Sequence, residues 1–219
     1  MVCRLGESRK NTNANEINMN LLTQNTKLKK TSNALGVRVF NFGIPAYKSV
    51  SGKLTCPMAD ECVAFCYAKK GAYIWKNVKP AFEKRYELSK TDKFISKINA
   101  EIVLKEPDYV RVHDSGDYYS KKYLNKWIEI ANNNTDVKFY SYTNCVEMLK
   151  NVDLPSNYDV IFSNSGKQKH LINKTIDRHS IIFKTESELL SNNYIDASKI
   201  DLYATKWFSK NNKIGLIYH

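Results

Sequence analysis

Apolar residues in this chain fall into short runs separated by polar stretches rich in Asn, Lys and Ser. Val37-Arg-Val-Phe-Asn-Phe42 is β-branched and aromatic, which predicts a strand. Tyr109-Val-Arg-Val-His113 predicts another, as do residues 137–142, 159–162, 180–184 and 213–218. The spacing changes between these runs. Pro80 suits a first helical turn, Phe94, Ile98 and Ile102 recur every fourth residue, and Pro107 closes the region. Ser120 is the expected N-cap of a further helix with Tyr123, Leu124, Trp127, Ile128 and Ala131 on one face. Residues 145–150 and 186–190 predict two short helices.

Strands alternating with helices imply βαβ units and a mostly parallel sheet. The fold class is therefore α/β, and about six strands suit a partial (β/α) barrel or an open doubly wound sheet. Polar clusters after successive strands favour the barrel: a cysteine loop, His113-Asp114-Ser115-Gly116-Asp117, Thr143-Asn144, Ser163-Asn164-Ser165, Lys184-Thr185 and His219. Active sites of such barrels lie on that face, although strand-to-helix turns call for polar residues in any case. Residues 1–35 read as a polar arm, partly disordered or draped over the domain, and residues 36–219 as one α/β domain. No apolar run is long enough to span a membrane, and no apolar segment marks a secretory signal. The expected setting is a reducing cytoplasm.

The chemistry concentrates in Cys56-Pro-Met-Ala-Asp-Glu-Cys62-Val-Ala-Phe-Cys66. Three thiolates on one loop can converge on a metal, and iron–sulfur clusters and zinc are the usual occupants of thiolate sites. Three ligands fall short of the four of a closed structural zinc site. They suit a [4Fe–4S] cubane whose fourth iron stays open to a small molecule. Buried structural thiols and redox thiols are the competing readings. Pro57, Asp60 and Glu61 make the segment a loop rather than a core element, and an odd number of cysteines in a reducing compartment argues against disulfides. Cys3 and Cys145 are isolated, and Cys145 is an outside candidate for a fourth ligand.

The net charge of +12 adds nucleic acid as a partner class. Lysines are spread along the chain rather than gathered in a stripe, so the charge can equally reflect composition. Gly-x-Ser-x-Gly, His-Glu-x-x-His and P-loop motifs are absent, which removes the common hydrolase classes.

Four separated motifs carry a family resemblance: Cys56-Pro through Phe65-Cys66-Tyr67-Ala68, Arg111-Val-His-Asp-Ser-Gly-Asp117, Phe139-Tyr-Ser-Tyr-Thr143 and Lys213-Ile-Gly-Leu-Ile-Tyr-His219. In this order they resemble the bacteriophage gene product 88 family over residues 37–219. That resemblance implies a phage protein in the cytoplasm of a bacterial host. A cysteine-rich segment in the C-terminal third, carried by many members of that family, is absent here, since residues 185–212 contain no cysteine.

The chain is also similar, more distantly, to radical S-adenosylmethionine enzymes. They too place a three-cysteine loop after the first barrel strand, with an aromatic residue before the last cysteine, as Phe65 is here. Their usual spacing is Cys-x3-Cys-x2-Cys, whereas this chain has five and three intervening residues. The likeness implies S-adenosylmethionine at the open iron and, for an enzyme, oxidoreductase or lyase chemistry. Asp114, Asp117, Ser163 and Asn164 are the cofactor-binding candidates, as acceptors for hydroxyl or ammonium groups. His113 and Lys184 are the candidates for acid–base or charge roles. A non-enzymatic cluster protein and a zinc-containing nucleic-acid-binding protein are the alternatives.

Overall fold

The computed structural model describes residues 20–218. Cys3, His219 and residues 1–19 of the expected arm lie outside them. Seven strands form one sheet: β1 (Val39–Phe42), β2 (Tyr109–Val112), β3 (Lys138–Thr143), β4 (Tyr158–Ser163), β5 (His179–Phe183), β6 (Ile195–Asp196) and β7 (Lys213–Ile217). Every pairing is parallel, in the order β1-β2-β3-β4-β5-β7-β6. The sheet curls into an open half-barrel, the partial barrel expected from the alternating pattern. The strand beyond the six expected, β6, has two residues and lacks a run long enough to be read.

Strand parity sorts the side chains onto two faces. Phe42, Val110, Val112, Phe139, Tyr158 and Phe162 point to one face and join the larger core cluster. There they meet α3 (Lys93–Lys105) through Phe94, Ile98 and Ile102, and α4 (Lys121–Asn133) through Leu124, Trp127 and Ile130. α5 (Val146–Lys150) adds Val146 and Leu149. The alternate residues Val39, Tyr109, Tyr140 and Ile161 point the other way. They are covered by Leu28 of α1 (Thr26–Leu35) and by Leu202 and Ala204 of the turn at Asp201–Ala204.

Three local features go beyond the sequence pattern. The helical region begun by Pro80 is two helices, α2 (Lys79–Lys90) and α3, because the chain turns extended at Thr91. The Nζ of Lys126 donates to the freed carbonyls of Ser89 and Thr91, at 3.0 and 2.6 Å. Second, residues 20–35 pack on the domain: Asn25 caps α1 by accepting from the Leu28 amide at 3.0 Å, and Gly36 ends it in the left-handed region. Third, Thr23 makes a reciprocal antiparallel bridge to Asn41, which covers the β1 edge. α6 (Glu186–Ser191) follows β5 as the pattern predicts. Among the described residues no helix is long and apolar enough to cross a membrane.

Candidate functional site

After β1 the chain does not enter a helix at once. Residues 43–78 form a long loop with 3-10 turns at Glu61–Val63, Tyr67–Lys69 and Gly71–Ile74. Its path is fixed at the C-terminal ends of the strands. The Asp117 amide, after β2, donates to the Thr55 carbonyl at 2.9 Å. Ala59 bridges to Gly166 after β4, and the Cys62 amide reaches the Ser165 carbonyl at 3.4 Å. Phe65 packs edge-on against Tyr218, just past β7, with ring centroids 6.4 Å apart. The cysteine loop therefore lies across the open mouth of the half-barrel, the face on which the polar clusters were expected to meet.

Cys56, Cys62 and Cys66 are half-buried free thiols. Two of them have an N–H directed at the sulfur: the Tyr47 amide donates to Cys56 Sγ at 3.3 Å and the Asn144 side-chain amide to Cys62 Sγ at 3.7 Å. The Lys69 amide donates to the Cys66 carbonyl at 3.2 Å. Burial pushes the Cys56 thiol well above its usual range, and the nearby Asp117 charge adds to this. Burial raises Cys66 as well, and the charge of Cys62 adds to it. Among the described residues, however, no three Cys, His, Asp or Glu side chains are gathered at metal-ligand spacing. Cys145 is buried, and its Sγ donates to the Tyr118 carbonyl at 3.3 Å, so its thiol is already engaged.

The expected binding residues separate into different roles. Asp117 is fully occupied: Oδ1 accepts from Thr143 Oγ1 at 2.6 Å and from the Tyr118 amide at 2.8 Å, while Oδ2 accepts from the Asn144 amide at 2.9 Å. It ties the loop after β2 to the loop after β3. Asp114 differs. Tyr73 donates to its Oδ2 at 3.1 Å and Tyr67 to its carbonyl, but Oδ1 is buried without a partner. Burial raises the Asp114 pKa, against the pull of Arg111 and Tyr73. Gly43 makes room for this carboxylate, because a Cβ there would stand 2.1 Å from Oδ1. Ser163 ends β4 and Asn164 donates its amide to the Ser180 carbonyl at 3.0 Å, immediately before the Ser165 and Gly166 that hold the cysteine loop.

His113 and Lys184 are not drawn to the thiols by any contact in the structure. His113 takes a left-handed backbone, φ 68°, which turns its ring to the helix side of the sheet. There Nε2 lies 2.9 Å from Tyr123 Oη and the ring meets Tyr118 edge-on. Burial, with Arg111 adding to it, lowers its pKa to about 3, so the ring is neutral. Lys184 is exposed at the start of the β5–α6 turn, its amide donating to Glu188.

The sequence reading missed a buried polar group on the sheet face opposite α3 and α4. Arg111 Nη1 lies 3.2 Å from both oxygens of Asp201, Lys27 Nζ 2.6 Å from Oδ1, and Tyr140 Oη donates to Oδ2 at 2.6 Å. Burial alone would raise the Asp201 pKa; Arg111 and Lys27 reverse this and hold it at about 2. Arg111 also reaches Tyr67 Oη at 3.4 Å and stacks over the Tyr142 ring. Arg111 Nε, Tyr142 Oη and Asn144 Oδ1 are buried without partners, as is Asp114 Oδ1. Buried polar atoms are seldom left unpaired without a reason. A charged residue inside the apolar run Tyr109-Val-Arg-Val was the one signal that could have exposed this group.

The sequence profile of the gene product 88 family matches residues 19–218. The Gene 88 protein of Mycobacterium phage L5 is 29% identical over 134 residues, which cover 56% of this chain and 54% of that protein. The chain thus spans about half the length of this relative. The Gene 88 protein of Mycobacterium phage D29 is 27% identical over 171 residues, 67% of this chain and 70% of that protein. No solved structure matches the chain.

Proposed function

The chain belongs to the gene product 88 family, and from that footing we propose that its cysteine loop binds a [4Fe–4S] cluster through Cys56, Cys62 and Cys66, with a small polar ligand held beside it. The observation that carries this reading is the N–H directed at the sulfurs of Cys56 and Cys62. Such donors stabilise thiolates and tune the potential of a cluster bound to them. Burial without a cation keeps the Cys56 and Cys66 thiols protonated, and metal coordination reverses that balance. The donor set fits a cluster in kind, although the sulfurs are not gathered at ligand spacing.

When bound, the cluster supplies one-electron transfer and one iron open to a ligand. The chain's own residues do the rest. Asp114 Oδ1 is an acceptor for an ammonium or hydroxyl group, and Arg111 Nε and Tyr142 Oη are donors for an anionic or carbonyl oxygen. S-adenosylmethionine is one molecule with both kinds of group. Phe65 and Tyr218 pack the loop against the end of the sheet. The placement of His113 and Lys184 away from the thiols favours a site that binds and transfers electrons over one that relies on either as an acid or base.

Anaerobic purification followed by iron, sulfide and zinc analysis, with Cys62→Ser beside the wild type, tests the proposal. About four irons and about four sulfides per chain, lost in the variant, are expected. Zinc alone, or folded protein without iron under anaerobic reconstitution, would sink the cluster reading.

A further inference from the structure

On the helix side of the sheet, α2 and α4 enclose a cleft of about 200 Å³ lined by Ser89, Lys90, Tyr119, Ser120, Lys122 and Lys126 among others. No lining residue is acidic. Lys126 is only 7% exposed. Its ammonium carries three donors, and the Ser89 and Thr91 carbonyls take two of them. Both partners are neutral, and no carboxylate lies at hydrogen-bond distance among the described residues; the Asp92 charge acts on it only from further off. Burial of a charge is unfavourable unless it is paired. Capping of α2 explains where Lys126 points. It does not explain why Lys122 and Lys90 line the same cleft. Lys90 is held at its rim by Glu87, at 2.5 Å. Hydroxyl groups complete the lining: Tyr119 Oη and Ser89 Oγ lie 2.8 Å apart.

We propose that this cleft is a phosphate-binding site, taking inorganic phosphate or the phosphate of a small monoester between Lys90, Lys122 and Lys126. A cleft of this volume falls below the roughly 300–1,000 Å³ of sites for drug-sized ligands, which suits a compact anion. Its charged lining residues are all lysines, and ammonium groups bind phosphate as point charges. The site is separate from the cysteine loop and does not depend on a cluster.

The test is calorimetric titration of the full chain, at constant ionic strength so that general screening is held fixed. The probes are inorganic phosphate, adenosine 5′-monophosphate and adenosine. Saturable binding of phosphate, and none of adenosine, is expected. Binding of phosphate alone assigns the cleft to the free anion; comparable binding of the monophosphate assigns it to a phosphate monoester. Affinity should fall about tenfold in Lys122→Gln, with the thermal midpoint unchanged because Lys122 is exposed. Lys90→Gln gives a second reading from the opposite rim. The absence of saturable binding of either phosphate probe, or affinity unaltered by both substitutions, would overturn the proposal.

Discussion

Asp201 has no exposed surface, yet its carboxylate serves Arg111, Lys27 and Tyr140 at once. Removing one partner of such a group leaves the others buried and unpaired, which costs about 3–5 kcal/mol. Asp201→Asn should therefore lower stability by about that much near neutral pH. The pH dependence follows from the depressed carboxyl. With a folded pKa of about 2 against about 3.9 unfolded, the stabilisation is complete above the unfolded value and is lost as pH falls towards 2. Urea unfolding of wild type and variant across this range should show the gap narrowing below about pH 4. A gap independent of pH would mean that the charge on Asp201 is not what the pair relies on. This group escaped the sequence reading for a physical reason. Its members come from α1, β2, β3 and a 3-10 turn, and Arg111 and Asp201 are 90 residues apart. The three cysteines were legible because a single loop carries all of them. Whether Asp114 or Asp117 was the free carboxylate was not legible, since the two differ only in what neighbouring loops donate to them.

Elements whose partners are local were the readable ones. The Ser120 cap stands where the spacing placed it, with Oγ accepting from the Tyr123 amide at 3.2 Å, and so does the α4 stripe except that Ile130 is buried and Ile128 only partly so. Five of the seven strands were found to within a residue at their starts, because β-branched and aromatic residues alternate along them. β1 begins two residues later than its apolar run. α1 was missed because only Leu28 and Thr31 are buried, too few to make a stripe. These differences set expected mutational costs. Trp127 is fully buried between the rings of Phe42 and Phe94, so Trp127→Ala should cost about 3–5 kcal/mol. Ser120→Ala removes only a cap and should cost about 1 kcal/mol. Chemical denaturation of both variants checks the order; equal losses would show that α4 is held by its first turn rather than by its buried face.

At the scale of the whole molecule, the half-barrel has two exposed edges to protect. β6 is short, and β1 is covered by Thr23. The segment before β1 also supplies Leu28 to the second core cluster and Lys27 to Asp201. A chain beginning at residue 37 should therefore self-associate, read as a rise in mass by light scattering after size exclusion. A monomer with a cooperative unfolding transition would place the true domain boundary at β1. The strand order carries a further consequence, for synthesis. β1 to β4 each neighbour the next strand made, so they can pair in the order in which they leave the ribosome. β6 has no partner in the sheet but β7, and β5 keeps one side open until β7 arrives between them. For that interval the nascent chain carries unpaired strand edges, the condition in which sheets recruit foreign strands, and any pause in translation between β6 and β7 lengthens it.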